Sequence, residues 1–520
     1  MLHSQDHQER GDSLTDRIVW QSKWVAAATL LTTLLLARPA AADVSLAEKD
    51  GWEVFMNGRI QTFLNHNEGE GRPSSGGATW TGTDGNGNNQ IELRGGGVEN
   101  GNDGVLPVYD NGASATLTDQ GLVREMRIRS GFTGNVLGFG IRKRLSEQTE
   151  ILGYTAVTVG IDSVARRKFT LVDPDWRESF VRVTSTWGSL TAGRTLTLFS
   201  RGATEITYLY GYRYGLGFPG TTSGFSQSTA GSVGFGVLGN GFGAGLVYAT
   251  PVMGGLQISL GGYDAVGYPN IDLLNRERWP RTEGEMTFVR AFGGTGFVKL
   301  FVNGAWQRLY DRNFSNLSSD VYGTGFGGRF EIGPFKIGVA GHWGKGVGVT
   351  YSLEPHQSVY FDQRTSQALA GHDLGYPNCS VANTSACPAV KMRTVDGAYV
   401  QTQIAAHKKL DLRAGFGVTR VHQLPEDKVQ NWRTIQADDP ANPGTQITVA
   451  DPSTSIGYVT IRQQVGIGAG MTFHIADNFH FTLEYFRAVF QWYKPTPAAP
   501  GTDYPQQVLN SINGGVTYDF

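Results

Sequence analysis

The sequence predicts an all-β chain: one transmembrane, antiparallel, up-and-down β-barrel of about sixteen strands, with a long third loop folded into its lumen. Three observations predict it. Segments that alternate apolar and polar residues recur along most of the chain, which is the period of a strand with one face in oil and one in water. They are joined by turns as short as Gly293-Gly294 or Gly333-Pro334 on one side and by long polar loops on the other. Beyond the first forty or so residues, no apolar run reaches the roughly 20 residues that a spanning helix needs.

Composition agrees with that class. A chain of 520 residues normally divides into several domains, but a large barrel is one closed sheet. Aromatic residues make up 11% and hydrophobic ones 40%, with 71 glycines, and the mean hydropathy is -0.24. These values are too polar for a helical membrane protein and suit a barrel that is apolar on one face. A net charge of -2 gives no footprint for nucleic acid.

Taken in order, residues 1–42 read as an N-terminal extension and a cleavable signal peptide. Lys23, the apolar run Trp24 to Leu36 and Ala40-Ala41-Ala42 form its basic, apolar and cleavage regions, with cleavage expected after Ala42. An uncleaved anchor is the alternative. The polar stretch Met1 to Ser22 is either a long leader or translation from an upstream start. Residues 43–520 are then the barrel. Glu53 to Leu64 is the first strand, and the Gly/Asn/Ser stretch from about Asn65 to Asp119 reads as a loop. Leu122 to Gly134, Arg142 to Leu145 and Ile151 to Val159 hold more strand than two crossings need, and their register stays open. Arg177 to Thr186 and the stretch from Ser189 to Arg194 follow.

From Arg194 to Ala244 the chain is far too long for a hairpin turn and holds Arg201, Glu205, Tyr208, Tyr210, Tyr212, Arg213 and Tyr214. A loop of that length inside a regular sheet points to function, and residues 195–241 are read as a constriction loop. Regular hairpins resume afterwards. Thr282 to Phe292 meets Gly296 to Tyr310, Tyr322 to Ile332 meets Phe335 to Val349, Val395 to His407 meets Leu410 to His422, and Gly457 to His474 meets Phe479 to Tyr493, before a last strand from Val508 to Phe520. In Phe479 to Arg487 the two faces are legible: Phe479, Phe481, Leu483 and Tyr485 on one, His480, Thr482 and Glu484 on the other. The two cysteines, Cys379 and Cys387, are expected to form a disulfide in an oxidising compartment, two free thiols being the alternative.

Two places resemble a known family. The end, Gly514 to Phe520, resembles the C-terminal strand of outer-membrane barrels, whose final aromatic, here Phe520, is read by the barrel-assembly machinery. Ser189-Leu190-Thr191-Ala192-Gly193-Arg194, the long loop, and Ala244 to Pro251 with Gly254-Gly255-Leu256 resemble the fifth strand, constriction loop and next hairpin of general bacterial porins. Met56-Asn57-Gly58-Arg59 and Arg129 to Gly134 resemble that family's first- and second-strand signatures. The resemblance implies a homotrimer in the outer membrane of a Gram-negative bacterium, set among outer-membrane lipid and lipopolysaccharide, passing small hydrophilic solutes and ions passively. It puts Arg59, Arg129, Arg177 and Arg194 on the lumen wall, with Arg142 or Arg144 as replacements for Arg129, and Arg201, Arg213, Glu205 and the loop tyrosines at the constriction. Glu178, next to Arg177, would then face away. Where the family often carries Pro-Glu-Phe-Gly, this loop has Leu216-Gly217-Phe218-Pro219-Gly220. With Glu205 the sole carboxylate between Arg194 and Asp264, the expectation is a weakly anion-selective or nearly unselective pore.

Other signals are weaker. Gly234 to Gly239 fits Gly-x-Gly-x-x-Gly but lacks the following helix of a dinucleotide site. The histidines and cysteines show no metal-ligand spacing, and no compact nucleophile motif marks an enzyme. No cofactor is expected. The competing class is an outer-membrane barrel with a packed lumen, catalytic or structural rather than conducting.

Overall fold

The computed structural model describes residues 43–69, 81–83, 89–94, 105–108, 123–130, 134–159, 175–207, 233–239, 241–265, 279–310, 318–348, 359–361, 390–422, 434–438, 446–450, 461–492 and 506–520. The leader assignment for residues 1–42 falls outside them.

Sixteen antiparallel strands close into one barrel. They are β1 (Trp52–Gly69), β2 in two runs (Val123–Arg129 and Asn135–Arg144), β3 (Glu150–Val159), β4 (Asp175–Ser185), β5 (Gly188–Leu196), β6 (Phe242–Ala249), β7 (Leu256–Tyr263) and β8 (Arg281–Phe292). Then come β9 (Gly296–Tyr310), β10 (Ser318–Ile332), β11 (Phe335–Lys345), β12 (Thr394–His407), β13 (Leu410–Val421), β14 (Ile461–Ala476), β15 (Phe479–Trp492) and β16 (Gln506–Asp519). Each pairs with its sequence neighbours, and β16 returns to β1 from Arg59↔Asp519 to Gly69↔Leu509. Closure leaves no row of backbone donors and acceptors unpaired in lipid, where each would cost several kcal/mol. Among the described residues no helix is long and apolar enough to cross a membrane; the strands do the crossing.

The surplus strand in the second crossing has a simple origin. β2 is broken: Asn135–Arg144 pairs with Trp52 to Arg59, and Val123–Arg129 pairs with Phe63 to Gly69. Gln61 bridges the break, its backbone N–H donating to Asn135 Oδ1 at 2.7 Å and its side chain to the Gly134 carbonyl at 2.9 Å. β1 also runs on to Gly69, past the expected loop boundary at Asn65. Thr81–Thr83, Asn89–Arg94 and Val105–Val108 pair as a small separate sheet within that loop. A further short strand, Val44–Lys49, folds back on the start of β1.

The barrel is inside out relative to a water-soluble protein. On β1, Gln61 and Asn65 are 1% exposed, whereas Ile60 and Leu64 are 57% and 48% exposed. β15 follows the alternation read from its sequence, with His480, Thr482 and Glu484 buried inward and Leu483 and Tyr485 exposed outward. The outward side chains form a belt that includes Phe326, Phe330, Phe416 and Ile467. A continuous apolar belt of this extent is unstable in water and stable in hydrocarbon. Short turns gather at one rim. The three-residue turn between the paired Phe292 and Gly296 has φ of 57° and 75° at Gly293 and Gly294, left-handed values that glycine adopts at no steric cost.

Candidate functional site

The loop between β5 and β6 is the third long loop, and both of its described ends lie inside the barrel. Its neck is tied at once: Thr197 N–H and Oγ1 donate to the Gly241 carbonyl at 3.0 and 3.1 Å. The chain then enters a short helix, α1 (Arg201–Glu205), that packs against inward-facing residues of β8, β9 and β12. Phe199 N–H donates to Glu283 Oε2 at 2.8 Å. Arg201 Nε donates to Glu285 Oε2 at 3.0 Å, and Lys299 Nζ donates to Glu205 Oε2 at 2.6 Å. Tyr399 donates to the Ala203 carbonyl, and Thr207 donates to Gln401 Oε1, both at 2.6 Å. Beneath α1, Ile206, Phe301 and Tyr399 form a buried apolar cluster with Val233 and Val237 from the other end of the loop. A Cβ at Gly202 would run into the Phe301 ring.

The second end is the Gly-x-Gly-x-x-Gly stretch, and it is a clasp. Gly236, at φ 86°, donates its N–H to Thr419 Oγ1 at 2.9 Å. A side chain there would collide with the Ala398 carbonyl. Phe235 sits with its ring 5.2 Å from Phe486 and 5.5 Å from Phe490, in a buried cluster with Ala488 and Leu509. The glycines let the backbone lie flat on the wall while Phe235 fills a pocket in it. The described ends of the loop are thus fastened to the inner wall from β6 to β16.

The facing wall, from β16 through β1 to β5, is dressed differently. Asn65 donates to Ser511 Oγ at 2.9 Å and also contacts Asn513. Arg59 bonds Asp519 at 2.6 Å. Phe55, Tyr154 and Phe180 stand in a row, ring centroids 6.5 and 5.6 Å apart. Arg142 lies 4.7 Å over Phe55, and Arg182 lies 4.9 Å over Phe180. Arg142 is held by Glu53 and Asp43, and Arg182 Nε donates to Thr191 at 3.0 Å.

The expected site residues divide. Arg59 faces inward, and Arg201 and Glu205 come together through Glu285 and Lys299. Arg129 stands opposite Phe63 in the ladder. Arg194 does not line the lumen: it is exposed on the same face as Leu190 and Ala192, while Thr191 is buried inward. Arg177 is the extra residue of a bulge between Trp176 and Glu178, which oppose Val157 and Ala156. Its guanidinium is 6.0 Å over Phe242, a residue on the same face of β6 as the exposed Leu246 and Tyr248. Glu178, expected outward, opposes the buried Ala156. Tyr208, Tyr210, Tyr212, Arg213, Tyr214, Cys379 and Cys387 lie outside the described residues. Phe520 exchanges backbone hydrogen bonds with Gly58 at 2.7 and 3.0 Å, and its ring stacks on Tyr518 at 5.9 Å.

The main omission was acidic. Glu283, Glu285 and Asp519 each meet an arginine inside the barrel. The signal was present in Arg281-Thr282-Glu283-Gly284-Glu285, where charges recur at every second residue and so share one face.

No protein-family model matches the chain, and no curated protein matches it. Among solved structures, it is similar to the outer membrane channel DcaP of Acinetobacter baumannii, with a TM-score of 0.52 at 10% identity, covering 92% of this chain and 100% of that one. It aligns less closely with an anion-selective porin from Comamonas acidovorans, at a TM-score of 0.45 and 10% identity over 90% of this chain and 100% of that one. The first likeness is of fold: the chain shares the sixteen-stranded barrel architecture of an outer-membrane channel.

Proposed function

We propose that the chain is a porin: a homotrimer in the outer membrane of a Gram-negative bacterium, passing small hydrophilic solutes and ions by diffusion through water. Its long loops face outward, lipopolysaccharide and lipid surround it, and the assembly machinery reads the strand ending in Phe520. The observation that carries the reading is the asymmetry of the lumen. The described ends of the third loop are fastened to the β8–β16 side, while the β1–β5 stretch turns Arg59, Arg142 and Arg182 inward. A polar passage between the loop and that second wall is what diffusion needs.

On this reading the chain binds no cofactor or metal and catalyses no reaction. The third loop sets the narrowest point, with Arg201, Glu205, Arg213 and the tyrosines Tyr208, Tyr210, Tyr212 and Tyr214 around it. Arg59 and Arg201 have carboxylate partners, which cancels much of the positive field that the arginines alone would create. Selectivity is therefore weak. Planar-bilayer recording tests the reading. Steady open steps with a small zero-current potential in a salt gradient support it. A silent bilayer after confirmed insertion supports the packed-lumen alternative instead.

A further inference from the structure

The inner face of the β1–β5 stretch carries a feature that passive diffusion does not require. Three aromatic rings stand at one level of it, on β1, β3 and β4. Phe55 opposes Gly140, Gly140 opposes Tyr154, and Tyr154 opposes Phe180. Glycines on the strand between β1 and β3 let two of the rings lie down. A Cβ at Gly140 would run into the Phe55 ring, and one at Gly138 into the Tyr154 hydroxyl. Phe55 is buried, whereas Tyr154 and Phe180 keep part of their surface in the lumen. Barrel strands tilt by roughly 35–45°, so a row across them runs obliquely along the pore.

The inward residues on either side of this row are polar and carry both signs of charge. Toward the short turns, Arg142 pairs with Glu53, and Arg182, bonded to the Thr191 hydroxyl at 3.0 Å, shares a face with Phe180. Toward the long loops, Asn57 Oδ1 accepts a hydrogen bond from the Tyr154 hydroxyl at 2.9 Å, and Glu178 shares the face of Phe180. Two guanidiniums are thus matched by two carboxylates, and Asp43 also bonds Arg142. An organic acid finds no net attraction there. A sugar hydroxyl both donates and accepts, so it uses groups of either sign. The C–H face of a sugar ring is flat and apolar, which suits stacking on an aromatic side chain. Aromatic surface joined to a few placed polar groups is the usual make-up of a small-solute site.

We propose that Tyr154 and Phe180, with Asn57, Glu178 and Arg182 on their two sides, form a binding site in the lumen for neutral sugars. The inference rests on the porin reading and narrows it, from small hydrophilic solutes in general to ring-shaped, hydroxyl-rich ones.

The probe is maltose, a sugar of two rings, compared with mannitol, an open-chain polyol, each titrated by calorimetry into the detergent-purified full chain. The unmodified protein should bind maltose roughly tenfold or more tightly than mannitol. Tyr154→Ala should lose that preference, and Arg194→Ala, on the lipid face, should keep it. Equal binding of the two solutes by the unmodified protein, or an undiminished preference in Tyr154→Ala, overturns the proposal. Benzoate that binds more tightly than maltose, and is lost with Arg182→Gln, also overturns it, because the strip then serves organic acids. If Tyr154→Ala does not assemble, Phe180→Leu, which removes a ring but keeps apolar bulk, takes its place with the same two outcomes. Bilayer current is recorded in parallel. Maltose binding without current would sink the porin reading and leave this site standing, whereas current without maltose binding would sink the site alone.

Discussion

The β8–β15 wall and the β16–β5 wall are made from the same alternating strands, yet their inward aromatic rings are covered by different things. On the first, Phe301, Tyr399, Phe486 and Phe490 lie beneath the loop and pack against Ile206, Val237 and Phe235. On the second, Phe55 and Phe180 lie beneath Arg142 and Arg182. A guanidinium covers a ring while keeping its charge in water; a loop covers a ring by excluding water. The first wall is therefore an anchoring surface, and on the proposed reading the passage follows the second, beside Arg142 and Arg182.

The largest way to break that contrast is to release the loop. Phe235→Ala removes a buried aromatic and should cost about 3–5 kcal/mol. It should appear as a lower heat-unfolding midpoint and as noisier, larger current steps. Glu285→Ala strands Arg201 against the same wall and should cost about 3 kcal/mol, with a similar but smaller change in current noise. If either variant gates and unfolds like the parent, the loop is not held where we place it.

Charge reversals sharpen the assignment of faces. Arg182→Glu, on the second wall, should shift the permeability ratio toward cations by roughly threefold. Arg194→Glu, on the lipid face, should leave the zero-current potential unchanged. Equal shifts would mean that the strand parity is wrong. Smallest of all should be the paired change Arg59→Gln with Asp519→Asn. Each single substitution should move the potential in opposite directions, and the double variant should return close to the parent, because the two charges already cancel.

The strands were legible because the barrel imposes one rule on every one of them. Alternation and turn signals place β8 to β16 to within a few residues, and Gly293-Gly294 and Gly333-Pro334 mark their turns. The break in β2 was not legible, because a strand that stops and resumes against the same partner still alternates on either side of the break. Faces were harder than strands. Neighbouring side chains alternate, so Arg177 and Glu178 were set on opposite sides, but one inserted residue at Arg177 turned Glu178 to the same face as the buried Ala156. Arg194 was placed by its resemblance to a loop-start motif, whereas its own strand sets its side through the buried Thr191. Of the loop residues expected at the constriction, Arg201 and Glu205 meet through Glu285 and Lys299, and Arg213 lies outside the described residues. The partners of Arg201 and Glu205 were not legible, since Glu285 and Lys299 lie more than eighty residues away in sequence and meet them through closure of the sheet.

The central claim is that water and ions run along the β16–β5 wall and not along the loop-covered one. Single-channel current after thiol modification tests it most directly, with Cys379 and Cys387 replaced by serine in every variant. Arg182→Cys stands on the second wall, and Gln401→Cys lies beneath α1, where Thr207 bonds it. A bulky cationic thiol reagent should reduce the current through Arg182→Cys in clear steps and leave Gln401→Cys unchanged. Block of Gln401→Cys with no effect on Arg182→Cys would contradict the account.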